Sequence, residues 1–321
     1  MNQHTVPKFL LKNFTKDKKR RVWVYDKHAG ARFRANVRNI TAERGFYDLS
    51  IEGLPGASLE PSLQRIEDRA APLLQEIVRQ KNIAFLKEDS RAVLAVFFAV
   101  LFVRTKEYRL RYENLGRLIQ DRLRQMSASG ELLQSFDSDE DESKLTGLRD
   151  LVLLVPQFAP HFLNKHWALF EAPPGLCLYT SDNPVTLHNE IDLSPYGNIG
   201  LTVRGIEIYV PLASTLTLAL LCPSVAAPFL QAAANFRLLD RLSPGLAEGV
   251  LKNPAFTRAY CTALETGSPF RLIDENVTML NSLQVMYSSR CVYCENDQFP
   301  LVETMIRDNP KYKEGLRPTL A

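Results

Sequence analysis

The chain has 321 residues, 23% of them charged and 45% from the apolar set, which is globular composition with length enough for a substantial core. A formal net charge of +3 gives no drive toward non-specific DNA binding, though it leaves room for a local basic patch. No charged segment followed by an apolar run and a small-residue cleavage site opens the sequence, and the most apolar stretch, 92–103, is shorter than the roughly 20 residues a spanning helix needs. The expectation is therefore a cytoplasmic protein with no membrane span.

The opening run NQHTVPKFLLKNFT (2–15) is too apolar at Val6, Phe9, Leu10, Leu11 and Phe14 to stay in water. It should dock, which fixes His4 in a particular place. Strands are expected at 20–27 (RRVWVYDK) and 31–37 (ARFRANV), joined by a turn as a β-hairpin. The charges KDKKRR (16–21) read as a solvated turn or as a basic loop able to touch phosphate. Segment 40–59 reads as irregular.

From Glu60 to about Lys81, Leu63, Ile66, Ala70, Leu73 and Ile77 form one apolar helical stripe, with Glu67 at its edge and Glu60 two turns earlier. A second helix, 89–127, is apolar all round from Ala92 to Val103, and Arg104 follows directly. A guanidinium there needs an anion, because it cannot shed its charge. Either Glu67 or Glu60 supplies it, or a ligand phosphate or carboxylate does. The polar, acidic stretch 127–144 is read as a flexible connection; it lacks the glycine and closing glutamate of a calcium loop. Another helix fits 145–156, continuing irregularly to His166.

Strands return at 166–172, 176–181, 206–212 and 215–222, with PPG (173–175) as a hairpin connector. Helices are expected at 224–239, 243–251, 256–265 and 270–288, then a short edge strand at 289–295 and a loose tail from Asn309. The fold class is α+β: mostly helical, with an N-terminal β-hairpin and a central, largely antiparallel sheet. One large domain is expected over 1–321, its hairpin and helical part about 1–165 and its sheet-containing part about 166–295.

Five cysteines, spread thinly and odd in number, read as reduced thiols with no disulfide-linked partner. CVYC (291–294) has the spacing of half a zinc site, but no second pair accompanies it. Gly-rich phosphate loops, dinucleotide fingerprints, His-Glu-x-x-His and Gly-x-Ser-x-Gly are all absent from the sequence.

QHTVPKFLLKNF (3–14) with VWVYDK (22–27), TSDNPV (180–185), VPL (210–212) and NSLQVMYSSRCVY (281–293) together resemble a bacterial family of unknown function. Its members open with His-x-x-Pro-x-x-x-Leu-x-x-Phe and carry a central Ser-Asp-Asn-Pro-Val. The resemblance places the family's polar signature on His4, Glu67, Arg104 and Ser181, Asp182 and Asn183, with Asn281 and Gln284 as a further pair. It brings no established activity.

Two readings stand. In the first the chain is a hydrolase acting on a phosphodiester, a nucleotide or nucleic acid. His4, Glu67 and Asp182 then serve as base or as ligands to a divalent Mg or Mn ion, Arg104 clamps the anion, and Ser181, Asn183, Asn281 and Gln284 contact the ligand. In the second the chain is a non-catalytic binding protein, and the same residues form a buried polar network. His4 is then an anchor for the N-terminus. The turn chemistry of Asp and Asn before proline fits either reading.

Overall fold

The computed structural model describes residues 2–44, 58–125, 140–192, 197–243, 245, 249 and 253–316. The opening segment docks as its apolar pattern requires. Strand β1 (Asn2–His4) pairs antiparallel with β4 (Ala42–Arg44), and the short helix α1 (Lys8–Lys12) follows Pro7. Val6, Leu10, Leu11 and Phe14 are each at most 1% exposed. Burying each such side chain contributes about 1.5–3 kcal/mol, enough to hold a chain end in place.

Strands β2 (Arg21–Asp26) and β3 (Ala31–Asn36) form the expected hairpin. They belong to a four-stranded antiparallel sheet in the order β3-β2-β11-β6, with β6 at Thr180–Ser181 and β11 at Cys291–Cys294. So the CVYC segment is an internal strand of its sheet, not the short edge strand expected. Val24 and Tyr25 on one side and Thr180 and Ser181 on the other enclose it, all at most 6% exposed.

A five-stranded sheet runs β10-β5-β9-β8-β7. Its strands are β5 (His166–Glu171), β7 (Thr186–His188), β8 (Glu207–Ala213), β9 (Leu216–Leu221) and β10 (Pro269–Arg271). Only β10 with β5 is parallel. Residues 173–175 therefore do not close a hairpin: β5 pairs with β9, and the chain leaves for the other sheet at β6. Residues 176–179 lie outside any strand, so the expected strand at 176–181 shrinks to its last two residues.

Helix α2 spans Glu60–Gln80 and α3 spans Glu88–Val103. Eight residues of α3 are buried, and it packs chiefly against α5 (Glu140–Leu163) and then α2. The expected single helix 89–127 is broken after Val103. Thr105 accepts the backbone N–H of Tyr108 on its hydroxyl at 3.3 Å, an N-cap that starts α4 (Lys106–Gln125) afresh. Helix α5 in turn runs straight through Pro156 and Pro160. Its buried Leu148, Leu151, Val155, Ala159 and Phe162 keep a single stripe against α3, and that packing outweighs the lost backbone bonds.

The remaining α-helices of three turns or so and longer among the described residues are α6 (Pro223–Leu242), α7 (Pro254–Thr266), α8 (Asp274–Tyr287) and α9 (Pro300–Asp308). The helix expected at 270–288 begins later, because Pro269–Arg271 is recruited as strand β10. Gly267 makes that junction possible: it is left-handed, and a Cβ there would sit 2.6 Å from the Ala84 nitrogen. Pro310–Glu314 is a 3₁₀ turn, so the tail is ordered well past Asn309. The expected helix 243–251 and the acidic stretch 127–144 lie largely outside the described residues, as do 45–57. The fold is α+β, helices in the majority, with a hairpin and antiparallel sheets.

Candidate functional site

His4 ends β1, opposite Ala42. Its Nδ1 donates to the Ile40 carbonyl at 3.2 Å, while Thr5 and Thr41 stitch the two segments together beside it. Burial and the charge of Lys8 lower the imidazole pKa to about 4, against the Ile40 bond and with a further push from Arg104. His4 is thus a neutral imidazole near pH 7. Its ring is bonded to the Ile40 carbonyl and lies within range of the Arg104 charge.

Arg104 lies just beyond the end of α3 with 1% of its side chain exposed. Its Nη1 donates to Glu67 Oε1 at 2.7 Å, so Glu67 on α2 is the partner. Glu60, the other carboxylate considered, opens the same helix, its backbone N–H donating to Ser58 Oγ. The Arg104 pair is partial. Nε and Nη2 are buried and have no hydrogen-bond partner among the described residues.

The Ser181–Asp182–Asn183 run is engaged differently. Asp182 Oδ2 accepts the backbone N–H groups of Arg290 and Cys291, each at 2.8 Å, and the Ser289 hydroxyl at 3.0 Å. Oδ1 accepts the Ser289 N–H at 2.8 Å. The carboxylate is a clasp for the loop between α8 and β11. Asn183 donates to the Tyr287 carbonyl and accepts the Thr105 hydroxyl, at 2.9 and 3.0 Å.

Helix α8 lays two amides along this same segment. Gln284 accepts the Ser181 hydroxyl and donates to the Pro184 carbonyl, at 2.8 and 3.0 Å. Asn281 accepts the Tyr179 N–H and donates to the Cys177 carbonyl, at 2.7 and 2.9 Å. Each amide satisfies one donor and one acceptor of the 177–184 stretch, most of which lies outside any strand. The α8 amides and the 177–184 segment form one closed network.

The eight residues singled out from sequence therefore fall into two groups. Arg104 pairs with Glu67, with His4 near enough to feel the Arg104 charge; Ser181, Asp182, Asn183, Asn281 and Gln284 lie together elsewhere. Consecutive residues at the α3–α4 break link them, Arg104 to the first group and Thr105 to the second. The metal set His4, Glu67 and Asp182 is not assembled. Among the described residues no group of three His, Cys, Asp or Glu side chains is placed to hold a metal ion. The reason is local: Glu67 carries a guanidinium, and Asp182 carries four hydrogen bonds from the 289–291 loop. The geometry thus offers Mg or Mn no ligand set there. Cys291 and Cys294 form no zinc half-site either, because residues three apart on a strand point to opposite faces.

Two further polar residues of weight stand outside those eight. Lys27 is fully buried, and its Nζ donates to the carbonyls of Val285, Ser288 and Tyr312 at 2.6–2.8 Å. Nothing in VWVYDK distinguishes it from a solvated lysine at a strand end. Thr105 was legible, since TKEY is a helix-start pattern, but the apolar run before it suggests continuity. In the basic turn at 16–21, Asp17 pairs with Arg21 and with Arg34 of β3, and Lys16 pairs with Glu295, while Lys18, Lys19 and Arg20 are exposed.

A family model described as Protein of unknown function (DUF4238) matches residues 2–298. The chain belongs to that family. No curated protein and no solved structure matches this DUF4238 chain. Both residue groups lie inside the matched span. Among the described residues, no helix is long and apolar enough to cross a membrane.

Proposed function

We propose that this chain is a binding protein whose Ser181–Asp182–Asn183 run is scaffold, and whose ligand is an anion received by Arg104 beside His4. One observation carries the reading. Arg104 is buried, gives only Nη1 to Glu67, and keeps Nε and Nη2 without a hydrogen-bond partner among the described residues. Each unsatisfied buried N–H costs roughly 1–3 kcal/mol, so two on one guanidinium call for an acceptor. Nε and Nη2 form the side-on fork that takes a phosphate or carboxylate in bidentate fashion. A neutral His4, its Nδ1 proton given to Ile40, keeps Nε2 as an uncharged acceptor beside the cation without repelling it.

His4 also favours a second reading. A neutral imidazole beside a guanidinium can act as a general base, which would make the anion a phosphodiester or nucleotide and the protein a hydrolase. Asp182 has no part in that version, since its oxygens are already engaged.

Calorimetric titration of the full chain with inorganic phosphate, nucleoside monophosphates and dicarboxylates tests both. Saturable binding to one class, weakened about 10- to 100-fold in Arg104→Gln, is expected from losing charge-assisted bonds. Absence of saturable binding across these classes overturns the proposal. Turnover of a phosphodiester that disappears in His4→Gln selects the second reading.

A further inference from the structure

Cys177 and Cys294 come together where the approach to β6 crosses the exit of β11. In that ladder Val292 pairs with Ser181 and Tyr293 with Thr180. Cys294 directly follows Tyr293, the last β11 residue paired with β6, and Cys177 lies three residues before Thr180, in the irregular approach to β6. Each thiol is the first cause of the other's shifted pKa, and one neighbouring residue touches both sulfurs. Asn296 holds both sulfurs, its backbone N–H at 3.5 Å from Cys294 Sγ and its Nδ2 at 3.3 Å from Cys177 Sγ. Lys16 completes the rim, with Nζ 2.6 Å from Glu295 and 3.1 Å from Asn296.

The partners differ as an attacking and a resolving thiol must. Cys177 is half-buried and its Sγ donates at 3.7 Å to Glu295, the carboxylate that pairs with Lys16, whereas Cys294 is fully buried. The neighbouring Cys294 thiol and the charge of Lys16 hold the Cys177 thiol below its ordinary range, against burial and Glu295. Cys177 and burial push the Cys294 thiol up. A depressed, accessible thiol beside a protonated one is the arrangement that ionises selectively.

We propose that Cys177 and Cys294 are a redox dithiol, oxidised by a hydroperoxide to an intramolecular disulfide. The Cys177 thiolate attacks the terminal peroxide oxygen; the O–O bond breaks, leaving a sulfenic acid on Cys177, and the departing alkoxide or hydroxide takes a proton. Cys294 then loses its proton and attacks the Cys177 sulfur, forming the S–S bond and releasing water. Two thiols and one hydroperoxide yield a disulfide, an alcohol and water; sulfur gives up the two electrons that the peroxide gains. With hydrogen peroxide the alcohol is a second water. The crosslink would staple the β6 approach to the β11 exit. This inference is independent of the Arg104 reading.

The test treats the reduced full chain with hydrogen peroxide, counts thiols and maps peptides by mass spectrometry. Five free thiols should fall to three, with Cys177 joined to Cys294, and a thiol reductant should restore all five. In the reduced protein Cys177 should react with an electrophilic probe about 10-fold faster than Cys261, whose thiol burial pushes up. In Cys294→Ser, a sulfenic-acid probe should label Cys177. Retention of five thiols, a different cysteine pair, or no preference for Cys177 overturns the proposal. Cys222→Ser should leave the oxidation unchanged, and loss of the crosslink in that variant contradicts it as well.

Discussion

Asp182 and Ser289 are joined twice, the Ser289 N–H to one carboxylate oxygen at 2.8 Å and its hydroxyl to the other at 3.0 Å. With Arg290 and Cys291 added, the carboxylate closes the α8–β11 loop and sets β11 in its sheet. Asp182→Asn keeps the shape but replaces an acceptor oxygen with a donor facing N–H groups. It should lower unfolding free energy by about 2–4 kcal/mol, read by urea denaturation, and leave anion binding intact in the folded protein. An unchanged stability would remove the scaffold role.

Glu67 and Arg104 should respond unequally. Glu67→Gln leaves a buried guanidinium without its counter-charge, which in buried pairs costs about 3–5 kcal/mol; the 21% exposure of Glu67 puts the expectation at the lower end. Arg104→Met removes the buried charge and fills similar space, so it should cost less than Glu67→Gln. Thermal unfolding of the two variants under one buffer checks the order. Equal losses would mean that the pair acts only through its geometry.

Acid should weaken the docked N-terminus through His4. Its folded pKa, about 4, lies below the ordinary 6.5, so the unfolded chain binds the extra proton first. The contribution is fully present above pH 6.5 and is lost as pH falls toward 4. His166, lowered by burial and by Arg91, works in the same direction. Denaturation midpoints of wild type, His4→Gln and His166→Gln across that window should separate the two, with His4→Gln showing a shallower acid slope. A slope identical to wild type would count against a buried neutral His4.

Lys27 ties three distant carbonyls, those of Val285, Ser288 and Tyr312, to the hairpin. Lys27→Met should strip this donor from the Ser288 and Tyr312 carbonyls, while Val285 keeps the Ser288 hydroxyl, and cost about 3–5 kcal/mol. Hydrogen exchange should rise at 310–314 more than in β2, because the tail has fewer other contacts. Uniform protection in that variant would show the lysine to be incidental.

Much of the architecture was legible in the pattern of apolar residues. The hairpin, the all-apolar α3, the stripe of α2 and the buried β8 and β9 each follow from local periodicity. Long-range competition decided the rest. Residues 176–179 carry a strand composition but give their backbone groups to Asn281 and Ser214, and Pro269–Arg271 joins β5 instead of starting a helix. The prolines of α5 look like stops and are overruled by packing on α3. At the site, Arg104 was legible as a buried cation in want of an anion, because it directly follows an apolar run. The role of Asp182 was not, since a turn carboxylate and a catalytic one share the same neighbours in sequence, and only the 289–291 loop distinguishes them.

The most direct measurement is a crystal structure of the full chain grown with phosphate and manganese. The account predicts a phosphate oxygen within hydrogen-bond distance of Arg104 Nε and Nη2, with Asp182 still closed on Ser289, Arg290 and Cys291. Manganese bound between Asp182 and His4, or phosphate absent from an Arg104 fully satisfied by protein atoms, would contradict it.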